Sequence, residues 1–519
     1  MTKDFMMKRL YKGNWPLAII LLFFAAGCTK NFDSINSDPT TFGTLPPATI
    51  PKAFAIAEWE GVYADPGNYE VIHSLYTDLW SQYFVDGGGF PGDRYVLDPT
   101  LTIFSWSLTY TVNLPSIKIV IDGTEKVAPS ANAIAKIWKT YMFHQQTDLY
   151  GPIPYSQAGL GLLSVPYDAQ ESIYTNFFSV LDSAIATLKA SDQTQTPFGS
   201  DDLIYAGSIP KWIKFGNSLR LRLAMRISGI NPTLAQAEAE KSIADGVITD
   251  NADNAFVAVG PNSINGLAAE APWENMRMSS SMVSYLKGYN DPRMMEYYSP
   301  ADDDGQYHGT RNGMNVTQVA AAVSKNGTNL SNINTTRWSD ATQATTPLNV
   351  MYAAEIYFLR AEAALNGWNV GGTPRQLYEQ GITVSMNQWG INDANAIQNY
   401  IQSTSTPIPP NDYLNSPAVA TIPVKFAADA VTQRQQVLTQ KWLALFPDGI
   451  EAWAELRRTG FPVLYPLVES DNPDVPANHM ISRFTWQSDE YNTNGKAVQA
   501  ALPLLGGPDK VSTHVWWNK

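Results

Sequence analysis

Five stretches of this chain repeat apolar residues every three to four positions, a spacing that an α-helix turns into one continuous face. In 131–147 the set is Ile134, Ile137, Trp138, Tyr141 and Met142, and in 171–189 it is Ile173, Phe177, Leu181, Ile185 and Leu188. In 210–228 it is Trp212, Phe215, Leu219 and Leu223, with Pro210 placed to open the helix. Segments 351–366 and 431–458 repeat the style. Alternation of the strand kind is confined to 246–260 and 314–323, which are expected to form short hairpins. The stretches 84–105, 250–350, 402–424 and 465–519 are rich in Gly, Pro, Asn and Asp. Their length marks them as functional or packed irregular structure rather than plain connections. The expected fold is mainly α, a helical scaffold with long irregular loops and a few short β-hairpins.

Composition narrows the function. Of the 519 residues only 16% are charged while 12% are aromatic, which argues against disorder. The formal net charge of -13 comes without a basic run, so the phosphates of a nucleic acid would go unneutralised and nucleic-acid binding is excluded. One cysteine rules out a disulfide framework and a thiolate zinc site.

That cysteine is Cys28, and it stands at the end of an address. Lys3, Lys8, Arg9 and Lys12 precede the apolar run from Trp15 to Cys28, the pattern of a secretory signal. The run is shorter than the ~20 residues a spanning helix needs. Ala25-Ala26-Gly27-Cys28 looks like a bacterial lipobox, in which the cysteine is lipidated and the peptide before it removed. Residues 1–27 are therefore expected to be lost, 28–50 to form a polar, proline-bearing tether, and 51–519 to fold as one domain with a loop-rich insertion at about 250–350. Cleavage removes four positive charges and one negative, taking the net charge from -13 to -16.

Enzyme signatures are missing. HExxH, GxSxG and GxxxxGK[ST] do not occur, and "GLGLLS" at 159–164 fails GxGxxG because Ser164 replaces the third glycine. The five histidines (73, 144, 308, 479 and 514) have no metal-ligand spacing. Glu355 and Glu362 share one helix face, and Arg220, Arg222 and Arg226, or Arg457 and Arg458, are their natural partners. An acid/base pair would use the same residue types, but the reading adopted is a set of scaffold ion pairs. "GPIPYS", with Gly151 and two prolines, is a structural turn, and "WAELRRTGFP" is ordinary helix termination with Gly460 as the cap. Asp302, Asp303 and Asp304 form an oxygen-rich run suited to Ca²⁺ but without the spacing of an EF-hand loop. No cofactor is expected beyond that one candidate ion.

Six strings then carry a resemblance. They are "TDLYGPIPYSQA" (147–158), "PYDAQESIY" (166–174), "GSIPKWIKFGNSLRLRLAMRIS" (207–228), "YAAEIYFLRAEAALNGW" (352–368), "YEQGITVSMNQWG" (378–390) and "QKWLALFPDGIEAWAELRRTGFPVL" (440–464). In this order, behind a lipobox, they resemble the SusD/RagB family of outer-membrane nutrient-binding lipoproteins, in its SusD-like branch. The resemblance implies helix pairs packed as a TPR-like scaffold. It implies a cell-surface protein, anchored in the outer membrane through lipid on Cys28, that binds a glycan, or in some members a peptide. It implies a SusC-like TonB-dependent transporter as partner, in a Bacteroidota-type envelope, and no catalysis. A surface glycoside hydrolase is the remaining alternative, since two carboxylates are always available in so acidic a chain.

Sugar binders combine aromatic platforms with polar side chains on loops held by a rigid scaffold. Two regions have that composition. The first is 76–95, with Trp80, Phe90, Asp93, Arg94 and Tyr95 around a glycine-rich loop. The second is 272–311, with Trp273, Asn275, Arg277, Tyr298, Tyr307 and Arg311. The family also places its ligand on loops after the early helices and on the central insertion, so these are the expected contact residues.

Overall fold

The computed structural model describes residues 46–273, 275–323 and 329–518. The signal segment 1–27, Cys28 and nearly all of the 28–50 tether lie outside the described residues. Residues Ile50–Lys519 make one compact unit, and the described part of the preceding unit holds a short 3₁₀ turn at Pro47–Thr49.

The periodic segments fold as helices and pack in consecutive pairs. Helix α1 (Ile50–Glu60) lies against α2 (Leu114–Thr124), and α3 (Pro129–Tyr150) against α4 (Gln170–Ala190). Helix α5 (Ile209–Arg226) packs on α6 (Pro232–Asp245), with the short turn 227–231 between them. Later in the chain come α7 (Ser280–Gly288), α8 (Val316–Ala322), α9 (Ala353–Leu365) and α10 (Pro374–Gln388), the last two packed together. Helices α11 (Ala430–Leu445) and α12 (Gly449–Thr459) complete the scaffold. Several helices open on proline, whose missing N–H costs nothing in the first turn. Examples are Pro129, Pro210, Pro232 and Pro374, the last inside a capping box of Thr373 and Gln376. Among the described residues no helix is long and apolar enough to cross a membrane.

Three expectations need correction. The segment 431–458 is two helices, because Pro447 cannot continue α11 and Asp448 starts α12 by accepting from the Glu451 N–H at 3.0 Å. The segment 314–323 is helical rather than a hairpin: Asn315 and Gln318 form a reciprocal capping box, and that local chemistry outweighs the alternation. The strands are short, and among the described residues none pairs as a hairpin. Strand β1 (Phe84–Asp86) pairs antiparallel with β3 (Met276–Met278), and β2 (Ala255–Val257) with β4 (Leu348–Met351).

One large core runs through the helices, with Trp138, Trp212 and Trp453 fully buried. Each indole N–H finds an acceptor: Ala57 O at 2.7 Å, Asp202 Oδ2 at 2.7 Å and Ile481 O at 3.2 Å. The scaffold also buries an ion-pair network. Arg222 grips Glu355 with two hydrogen bonds of 2.7 and 2.6 Å. Arg226 reaches Asp148 at 3.1 Å, Glu451 at 2.5 Å, and Glu455. Arg458 binds Glu362 through both nitrogens at 2.8 and 2.6 Å and also contacts Glu455, which Lys441 meets from the other side. Five helices, α3, α5, α9, α11 and α12, are joined this way. Burial raises the cost of each charge, so geometry and full pairing have to repay it. Glu355 and Glu362 are therefore scaffold residues.

Candidate functional site

The pairing of β1 with β3 brings the two loop regions singled out from sequence into direct contact. Phe84 faces Met278, Val85 faces Arg277 and Asp86 faces Met276. All six residues are buried, so the short ladder is held by the core beneath it. At its open end the chain leaves β1 as Gly87-Gly88-Gly89-Phe90 and enters β3 from Trp273 and Asn275. The Gly87 N–H donates to the Asn275 carbonyl at 2.6 Å, which extends the ladder by one bond.

Asp86 shapes the glycine loop. Its carboxylate accepts from the Gly88 N–H at 2.6 Å and from the Phe90 N–H, folding the loop back over its own strand. Burial pushes the Asp86 carboxyl above the usual carboxylate range, while the N–H groups of Gly88, Phe90 and Gly89 and the charge of Arg94 pull the other way. Gly89 sits at φ +81°, and a Cβ there would come 2.9 Å from Val316 Cγ2, so the loop packs onto the start of α8. The result is a backbone-rich surface with one aromatic ring standing clear. Trp273 is 50% exposed and Asn275 is exposed beside it, while Phe90 lies half-buried with its ring edge-on to Tyr76.

The structure divides the remaining expected contact residues. Trp80 is 2% exposed, donates its indole N–H to Gly92 O at 3.0 Å and packs against Trp453 and Phe484, so it is core. Tyr95 caps the 3₁₀ turn Pro91–Arg94 in the left-handed region and buries its ring edge-on to Trp80. Tyr298 is fully buried, with its hydroxyl donating to Tyr83 O at 2.7 Å. Asp93 is buried and accepts from the Asn312 amide at 2.8 Å; burial pushes its carboxyl up to about 7. Arg94 donates to Asp471 at 2.7 Å and to Met314 O at 3.1 Å, and Arg277 to Leu330 O at 3.3 Å. Tyr307 is half-buried and its carbonyl accepts from Lys287 at 3.2 Å. Arg311 donates to Ser416 Oγ at 3.0 Å and lies over the Tyr465 ring at 4.5 Å. Trp80, Asp93, Arg94, Tyr95, Arg277 and Tyr298 are buried and belong to the packing beneath the loops, while Tyr307 and Arg311 are half-buried. Sequence reasoning missed Asp86, although an Asp followed by three glycines is a turn signal in its own right. Val316 carried no such signal.

The aspartate run is a solvated turn. Asp302, Asp303 and Asp304 are exposed, and Asp304 accepts from the Gln306 N–H at 2.9 Å and contacts His308 Nε2 at 2.9 Å. Among the described residues no group of three or more His, Cys, Asp or Glu side chains is placed to hold a metal.

Comparison with known proteins adds a family. A family model described as "SusD-like: Susd and RagB outer membrane lipoprotein" matches residues 51–518. A chitin-binding SusD homologue from Flavobacterium johnsoniae superposes with a TM-score of 0.82 at 33% identity, covering 91% of this chain and 98% of its own. A SusD-like protein from Bacteroides thetaiotaomicron gives 0.80 at 31% identity, covering 90% and 99%. A further structure titled a chitin-binding protein gives 0.75 at 27% identity, covering 90% and 99%. No curated protein matches the chain.

Proposed function

This chain belongs to the SusD/RagB family of outer-membrane lipoproteins, and from that premise we propose that it captures neutral oligosaccharides at the cell surface and passes them to a SusC-like TonB-dependent transporter. Cys28 is the lipid attachment point and 28–50 the tether in this reading, with the globular unit facing outward. N-acetylglucosamine oligomers are the first ligand to test, because two of the similar structures are titled chitin-binding.

The observation that carries the reading is the display of Trp273. A half-exposed indole on a loop braced by β1, β3 and Asp86 offers an apolar face for the C–H side of a sugar ring. The Asn275 side chain and the glycine backbone beside it supply groups that orient hydroxyls. Glu355 and Glu362, the carboxylates that share one helix face, are locked in ion pairs inside the scaffold and are not free for acid/base work.

Isothermal titration of the lipid-free protein with N-acetylglucosamine oligomers, and with a panel of other neutral oligosaccharides and peptides, tests this. Heat of binding to an oligosaccharide, with the sugar recovered uncleaved, is the expected result. Binding of peptides alone would refute the glycan reading.

A further inference from the structure

One aromatic ring outside the β1–β3 site is displayed with the same care. Tyr413 is 52% exposed, yet the loop beneath it is clamped. Buried Asp412 accepts from the Leu414 N–H at 3.1 Å, the Ser416 N–H at 2.9 Å and the Ser280 hydroxyl at 2.7 Å. Asn411 and Asn415 both sit at φ 53°, a left-handed conformation that non-glycine residues adopt at a cost. A loop held this firmly presents its side chain with little ordering entropy left to lose on binding.

Tyr413 also borders a cavity of about 190 Å³, lined in addition by Asn411, His308, Thr310 and Asn329. Two elements tie that cavity to the Trp273 surface. Helix α8 begins with Val316 against Gly89 and ends with Ala321 and Ala322 in the cavity wall. Strand β3 starts beside Asn275, and Ser279, the residue after it, bridges to Thr310 in the same wall. Each element spans about 10 Å at the usual rise per residue.

We propose that Tyr413 and its cavity are a second sugar subsite, and that the ligand is an oligosaccharide long enough to engage Trp273 and Tyr413 together. This rests on the glycan reading above and adds a length requirement to it. A ligand of one or two rings uses the Trp273 surface alone; a longer one gains a second aromatic platform and the polar groups around it.

The test is a chain-length series by isothermal titration, using the di- and hexasaccharide of N-acetylglucosamine. Tyr413→Ala is expected to weaken the hexasaccharide about two- to tenfold, the range an aromatic contact supplies, and to leave the disaccharide unchanged. Trp273→Ala is expected to weaken both. Tyr413→Phe, which keeps the ring, is expected to bind as the unaltered protein does. Hexasaccharide affinity unchanged in Tyr413→Ala, with Trp273→Ala still impaired, overturns the second subsite and leaves the glycan reading standing. Equal weakening of both sugars by Tyr413→Ala also overturns it. If the unaltered protein binds neither these sugars nor any other neutral oligosaccharide of the panel, both readings are overturned.

Discussion

Replacing Trp273 by alanine separates ligand contact from scaffold packing, because half of the residue is outside the core. An aromatic side chain of this size has about 150–250 Å² to bury, so about 100 Å² remains available to a ligand. Covering that area is worth about 2.5 kcal/mol at about 25 cal/mol per Å². A sugar ring covers one face of the indole, which halves the figure to about 1.2 kcal/mol, or close to a tenfold change in Kd. The expected outcome is an oligosaccharide Kd about tenfold weaker in Trp273→Ala by isothermal titration, with an unchanged thermal melt. The fold does not depend on the exposed half of this ring: β1 and β3 are held by the buried Phe84, Val85, Met276 and Met278. A Kd within twofold of the unaltered protein refutes the assignment of this ring to the ligand. A lowered Tm in step with the lost affinity refutes it differently, by showing that Trp273 supports the loop instead of the sugar.

Three other expectations follow from named contacts. Asp86→Ala leaves the Gly88 and Phe90 N–H groups without their acceptor, costing about 1–3 kcal/mol by denaturant melt and lowering oligosaccharide affinity through the loosened glycine loop. Arg226→Met strips the shared cation from Asp148, Glu451 and Glu455, and is expected to cost about 3–5 kcal/mol in chemical denaturation; a loss under about 1 kcal/mol would show the network to be ornamental. Asp93 has its folded-state pKa raised to about 7 by burial, so its contribution to stability is complete below the unfolded value near 4 and is lost as pH rises through 7. Asp93→Asn, neutral throughout, is therefore expected to flatten the fall in Tm between pH 5 and pH 8, measured by differential scanning calorimetry at about those two values.

The parts of this molecule that announce themselves in the sequence are those whose physics is local. Ile134, Ile137, Trp138 and Tyr141 lie within two turns of one another, so their spacing alone predicts the helix Pro129–Tyr150. Glu355 and Glu362 read as ion-pair partners because one helix face carries both and arginines stand on neighbouring helices. The site is a different matter. Trp80 and Trp273 sit in loop-rich segments of like composition, and only the fold decides that one meets Trp453 while the other meets solvent. Arg94 and Arg277 have the composition of sugar-orienting residues, yet their partners are carbonyls and a carboxylate brought in from distant segments. A three-residue strand such as Phe84–Asp86 has too few positions to show a period, so its pairing with Met276–Met278 is invisible before the core assembles. The two loop regions stand out by composition, but which of their side chains face outward depends on contacts far apart in the chain.

Charge completes the argument for a neutral ligand. The arginines with the least exposure, including Arg222, Arg226 and Arg293, are matched by buried carboxylates at hydrogen-bonding distance. With these arginines held inside the scaffold, few cations remain to offset the chain's excess of 48 Asp and Glu over 35 Lys and Arg. A surface of one sign repels ligands of the same sign over a Debye length of about 8 Å at physiological ionic strength. Uncharged oligosaccharides pay no such penalty, and they bind through apolar faces and hydroxyls, the groups that Trp273, Asn275 and the glycine loop present. Acidic peptides would meet the repulsion, and Arg94 and Arg311, the loop arginines, are already held by Asp471, Met314, Ser416 and Pro466. The loop arginines thus serve the ligand indirectly, by fixing the backbone on which the aromatic rings stand.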